Sequence, residues 1–207
     1  MHHRLLASVA RRMGTSVLLV AAVATVSVAG ATAATSTKTS IYTPFTSTGA
    51  VPAHIGKTVH GSCFTGSDAV AHKGAWRCMS ANILYDPCFS PAHAAGLVLC
   101  PASGPWSSSL IEIKLTKPLP TKFANTGKPS TKGLPWALET TAGWKCELAT
   151  GATTSVSGKR LNYFCGASTK NALWGSPIRT AQPWTIFAAP ENAKRLTNRV
   201  DISSAWF

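Results

Sequence analysis

Six cysteines constrain this chain more than any other feature: Cys63, Cys78, Cys88, Cys100, Cys146 and Cys165. All follow an N-terminal segment with the three zones of an export signal. Arg4, Arg11 and Arg12 form a basic start, residues 16–30 are apolar and uncharged, and Ala31-Thr32-Ala33 is a small-x-small cleavage site. The apolar run is shorter than the ~20 residues of a bilayer-spanning helix. We therefore read residues 1–33 as a cleaved signal peptide and the protein as secreted. An even cysteine number beyond such a signal predicts structural disulfides. Fifteen pairings of six cysteines exist, and nearest neighbours are favoured: Cys63–Cys78, Cys88–Cys100 and Cys146–Cys165. The third has the best case. Strand-like stretches 144–148 and 160–165 flank a turn-rich segment with Gly151 and Gly158, so a cysteine on each arm can meet across a hairpin.

No two cysteines stand two to four residues apart, the spacing that tetrahedral zinc sites use, so no metal site is expected. With all six paired, no thiol is left for catalysis. Residues 34–53 are rich in Thr and Ser, with few large apolar groups beyond Ile41, Tyr42 and Phe45, and read as a flexible leader. Residues 54–207 then form one β domain of ordinary size.

Short apolar segments bounded by Gly, Pro, Ser or Asn mark strands at 96–100, 110–115, 136–141, 144–148, 160–165, 184–188 and 199–206. In the second of these, Ile111, Ile113 and Leu115 alternate with Glu112 and Lys114, the period of a half-buried strand. Helical turns are expected only at 91–96 and 190–197. The predicted fold is mainly β: a single compact, disulfide-stapled β-sandwich or partly open barrel with long loops and little helix. Residues 116–135, rich in Pro, Lys and Gly, read as a surface loop between halves.

The strings HGSCFTGSDAVAHKGAWRCMSANILYDPCFS and PWALETTAGWKCELATGATTSVSGKRLNYFCG, followed by LWGSP, PWTI and AWF, resemble a family of uncharacterised exported proteins and domains from actinobacteria. The resemblance covers most of 60–207. It implies an extracytoplasmic, disulfide-bonded module. It brings no catalytic residue and no ligand.

Catalytic patterns are missing. The histidines after residue 33 are His54, His60, His72 and His93, and none has the spacing of a metal pair. Glu139 and Glu147 lie on adjacent predicted strands but alternate with apolar neighbours, as outward-facing residues do. Asp86, before Pro87, reads as a turn residue. No G-x-S-x-G or S-x-x-K sequence is present. No cofactor and no catalytic residue is assigned.

The seven tryptophans are more informative. Trp76, Trp136, Trp184 and Trp206 stand in apolar or cysteine-flanked strings and read as core. Trp106, in Ser103-Gly104-Pro105-Trp106, and Trp174, before Gly175-Ser176-Pro177, read as loop tips and are the ligand-binding candidates. Cleavage after Ala33 leaves 17 Lys and Arg against 7 Asp and Glu, an excess that attracts polyanions. The expected function is a secreted, non-catalytic binding module for an anionic or sugar-containing wall polymer, or for another extracellular protein. The alternatives are a secreted hydrolase using His60, His72 or His93 with an acid, and a protease inhibitor presenting the loop 64–77 with Lys73. No nucleic-acid motif accompanies the basic residues.

Overall fold

A computed structural model of the chain describes residues 36–92, 95–153, 155–166, 171–190 and 197–207. The expected signal peptide, His93 and most of the expected helical turn at 190–197 lie outside these residues; of the turn expected at 91–96, the described residues 91–92 and 95–96 are not helical. The described residues contain strands and no helix, and they close into two β-barrels.

The first barrel is built from β2 (His54–Gly66), β3 (Ala75–Ser80), β4 (Ile83–Phe89), β5 (Leu97–Pro101) and β6 (Ser109–Leu115). Antiparallel pairing runs from β2 through to β6, and a parallel β2–β6 ladder from His54↔Ser109 to Gly61↔Leu115 closes the ring. Gly61 sits where β2 changes partner from β6 to β3. A Cβ there would lie 2.4 Å from the Met79 carbonyl oxygen, so only glycine lets the strands approach this closely. A ring this small has a narrow interior. The disulfides Cys63–Cys78 and Cys88–Cys100 pack there with Trp76, Val98 and Ile113.

The second barrel uses β7 (Ala137–Thr140), β8 (Lys145–Leu148), β10 (Lys159–Cys165), β11 (Asn171–Ile178), β12 (Thr185–Pro190) and β13 (Arg199–Trp206), closed by β13–β7 pairing. The short β9 (Ser155–Val156) adds to β10. Inside are Leu138, Tyr163, Leu173, Ile186, Ile202 and the Cys146–Cys165 disulfide. The Tyr163 hydroxyl is buried and donates to the Pro135 carbonyl at 2.7 Å. All three nearest-neighbour pairings are present. Their cysteines are 15, 12 and 19 residues apart, and loops of that size are worth about 3 kcal/mol each in the chain-entropy model.

A third apolar cluster lies between the barrels. Ala69, Val70, Ala75 and Phe89 of the first meet Trp136 and Ala137 of the second, with Trp106, Leu148 and Trp206 packed around them. This two-barrel arrangement is the particular form taken by the expected disulfide-stapled β unit. A sandwich does not form because each set of strands closes on itself.

The segment 34–53 is not a flexible leader where it is described. Residues Lys38–Ser40 form β1, which pairs in parallel with the end of β13. It occupies the edge that β12 leaves free, since β12 pairs only with Arg199–Asp201. Tyr42 then wedges into the seam, its ring 5.5 Å from both Phe89 and Trp136. Burial pushes its phenol up to about 12. Backbone pairing and one buried aromatic supply what the polar composition concealed.

Thr37 ties this segment down. Its hydroxyl donates to the Ile202 carbonyl at 2.7 Å and accepts from the Trp184 N–H at 2.8 Å. Replacing it with isosteric valine strands two buried backbone groups, each costing ~1–3 kcal/mol. Urea denaturation of Thr37→Val is expected to show a loss of about 2–4 kcal/mol, while Thr37→Ser stays within about 1 kcal/mol of the parent.

Candidate ligand-binding cleft between the barrels

The sequence candidates separate once placed. Trp174 is not a loop tip but a residue of β11, followed by Gly175 at φ +77° where the strand bulges. The Gly-Ser-Pro run that suggested a turn belongs to that bulge. The Trp174 ring stacks on Phe187 at 4.6 Å. Lys159 Nζ lies 5.5 Å over Trp174, and the Arg199 guanidinium 4.8 Å over Phe187. The four side chains make a ladder across β10 to β13, each ring already covered on its outer face by a cation.

Trp106 does lie in a loop, between β5 and β6. It is half-buried and meets Trp206 edge-to-face at 5.7 Å. Gly104, at φ +75°, lets the indole fold back over the chain, since a Cβ there would fall 2.4 Å from the ring. Trp106 then forms one wall of a cleft of about 550 Å3 at the seam. Lys145, Glu147 and Phe164 line the same cleft. Strand register explains the grouping: Phe164 of β10 pairs with Glu147 of β8, which pairs with Ala137 of β7 on its other side. Lys145 Nζ sits 5.9 Å over the Trp106 ring. The cleft presents two aromatic rings, a cation and a carboxyl group. Burial pushes Glu147 up from the ordinary glutamate value. Phe164 was not a sequence candidate; beyond the bulge after Leu161 it lies on the other face of β10 from Tyr163 and Cys165, packed against the cluster of Leu161, Ala172 and Ala189, and nothing local showed that it would also line this cleft.

The catalytic alternatives gain nothing from the geometry. Register sets Glu139 opposite Lys145 and Glu147 opposite Ala137, so the two acids are diagonal neighbours on the β7–β8 pair and not a directly opposed pair. His54 and His60 are exposed on β2. His72 is half-buried, and its Nδ1 bonds to the Lys73 carbonyl at 3.0 Å. Among the described residues no histidine hydrogen-bonds to a carboxylate or a serine hydroxyl. No group of three His, Cys, Asp or Glu side chains among them could hold a metal.

Asp86 lies in β4, not in a turn. It and Pro87 together oppose Arg77, a two-against-one bulge that re-aims the carboxylate. The carboxylate is buried and accepts from the Ser67 hydroxyl and the Asp68 N–H. Ser67 Oγ accepts in turn from the Ala69 and Val70 amides, and Arg77 pairs with Asp68. Desolvation pushes Asp86 up, partly offset by its bonds to Ser67 and Thr150 and by the Arg77 charge. This cluster shapes residues 67–70, which carry Ala69 and Val70 into the seam. Within the loop 64–77, Ser67, Ala69 and Val70 thus turn inward, while Phe64 and Lys73 stay exposed.

Glu147 binds its proton more tightly folded than unfolded. Its contribution to stability is complete below the ordinary value of 4.5 and is lost as pH rises through the folded value. Glu147→Gln removes that loss. Urea midpoints followed upward from pH 4 are expected to fall less steeply for the variant than for the parent. The slope that remains belongs first to Asp86, whose shift has the same sign.

No family model matches this chain, and neither does any curated protein or any solved structure.

Proposed function

We propose that the protein is a secreted, non-catalytic binding module whose inter-barrel cleft holds a sugar unit of an extracellular glycan. The observation that carries this reading is that Trp106 and Phe164 line one cleft together with Lys145 and Glu147. Aromatic walls suit the apolar faces of a sugar ring, and the two polar groups suit its hydroxyls or an acidic substituent. Three disulfides place the folded chain in an oxidising compartment. Export through residues 1–33 and kinship with exported actinobacterial proteins are part of the same proposal.

The test is a titration of the chain from residue 34 with soluble fragments of bacterial cell wall, followed by tryptophan fluorescence. The expected result is saturable quenching of the parent, with Trp106→Ala and Phe164→Ala each weakening binding at least about tenfold, the worth of ~1.4 kcal/mol. Lys145→Gln is expected to reduce the sensitivity to salt. Equal affinity in the parent and both aromatic variants, with the fold intact by circular dichroism, overturns the cleft as the site.

A further inference from the structure

The segment between the barrels, residues 116–135, contains Lys117, Lys122, Lys128 and Lys132 and no acid. All four lysines are exposed. A loop of this composition would ordinarily be loose, and its charges would disperse. Here it is fastened along its length to both barrels. The Phe123 carbonyl accepts from the Gly66 N–H at 2.7 Å and from the Thr65 hydroxyl at 3.3 Å. The Asn125 side-chain amide donates to the Ser67 and Val70 carbonyls, both at 2.8 Å. The Gly127 carbonyl accepts from the Lys73 N–H at 2.8 Å. Two glycines permit these contacts: a Cβ on Gly66 would sit 2.6 Å from the Asn125 side chain, and one on Gly127 would sit 2.6 Å from the Ala71 oxygen. On the second barrel, the Arg179 guanidinium donates to the Thr131 carbonyl at 3.0 Å and to that of Gly133 at 2.5 Å. Arg179 is itself held over the rings of Trp184 and Phe207 at 4.5 and 5.3 Å.

The segment is therefore a strap with a fixed backbone. Mid-strap it exposes Phe123, at 59% the most exposed large apolar side chain described, with Lys122 Nζ 5.4 Å over its ring. Residues 119–126 also curve around a depression of about 550 Å3 that adds Lys73 to the basic set. The described carboxylate beside Lys128 is Asp68, which is already paired with Arg77.

We propose that this strap is a preorganised docking surface for a linear anionic polymer bearing phosphate or carboxylate groups. Fixing the backbone in advance removes much of the ordering cost that a loose lysine loop meets on binding. Lysine is a point charge without the planar fork of arginine, so a row of lysines selects for charge spacing along a chain and not for one bidentate group. The exposed Phe123 gives the polymer backbone an apolar contact between charges. The surface is separate from the cleft, and the proposal stands or falls independently of the glycan reading.

The experiment measures binding of the chain from residue 34 to four immobilised probes across a salt series: inorganic polyphosphate, polygalacturonate, neutral dextran and a single-stranded oligonucleotide. Binding to polyphosphate, polygalacturonate or both supports the surface, and the relative affinities identify phosphate or carboxylate as the preferred group. If all four lysines engage, the log–log salt slope is expected near −3, taking the ~0.7 per contact of flexible single strands. The variant K117Q/K122Q/K128Q/K132Q is expected to lose at least about a hundredfold in affinity at 50 mM salt, with its slope falling to near zero. A charge-matched variant elsewhere, K38Q/K57Q/K114Q/R160Q, is expected to stay within about threefold of the parent. Asn125→Ala, which keeps every charge but unfastens the strap, is expected to weaken binding roughly tenfold. Trp106→Ala is expected to leave polymer binding unchanged. Equal losses in the two quadruple variants would assign the effect to net charge and overturn the proposal. Equal retention on dextran, or retention on the oligonucleotide alone, would overturn it as well.

Discussion

The architecture depends on covalent links placed directly across neighbouring strands. Each barrel has only a narrow interior. A handful of buried side chains against the conformational entropy of the roughly 60 to 70 residues in each barrel is a thin margin, since ordering each residue costs ~1–2 kcal/mol. Joining strand to neighbour changes the comparison, because the unfolded chain is already looped at three places. The half-cystines also fill the interiors that they close. Cys78, Cys88 and Cys146 have no exposed surface, and the sulfur atoms serve as core where larger apolar groups would not fit.

The seam between the barrels follows from this economy. Neither barrel buries Trp136, Phe89 or Trp206 within itself; each places them on its outer face, and the two faces cover one another. Several polar groups around the seam are paired locally, while the buried Trp136 Nε1, His72 Nε2 and Arg77 Nε have no hydrogen-bond partner among the described residues. Ser67, Asp86 and Arg77 engage one another, and Thr37 bridges two backbone groups. The cleft beside Trp106 lies where the β5–β6 loop of one barrel overhangs β8 and β10 of the other. A site of that kind can exist only because two units meet there.

Local patterns in the chain announced much of this. Alternation and turn residues marked the strands at Leu110, Trp136, Lys145, Arg160 and Arg199, and cysteine spacing anticipated all three disulfides. The strands β2, β3 and β4 were hidden. β2 contains three glycines and an extra residue, Phe64, at a bulge, and β4 carries Pro87 within a bulge of its own. Those features break the period on which strand recognition relies. Ring closure was hidden for a different reason: the β2–β6 ladder joins His54 to Ser109 and needs no local signature. Trp106 could be singled out as a loop aromatic, but Phe164, which lines the same cleft, is brought there only by strand register. Composition showed the lysines of residues 116–135, and could not show that Asn125 and Arg179 hold the backbone beneath them.

The bond from Thr37 to Ile202 spans 165 residues, and β1 lies beside β13, the last strand. This has a consequence for assembly on a ribosome or behind a translocation pore. The first barrel, with both of its disulfides, has all its strands once Leu115 has emerged. The second remains an open sheet until its final strand arrives, and Tyr42 has no finished seam to enter before then. Assembly therefore ends with a clasp in which the earliest strand meets the latest. Once shut, that clasp holds β1 and β13 side by side within one ladder, so neither strand can be peeled away without breaking the pairing that secures the other.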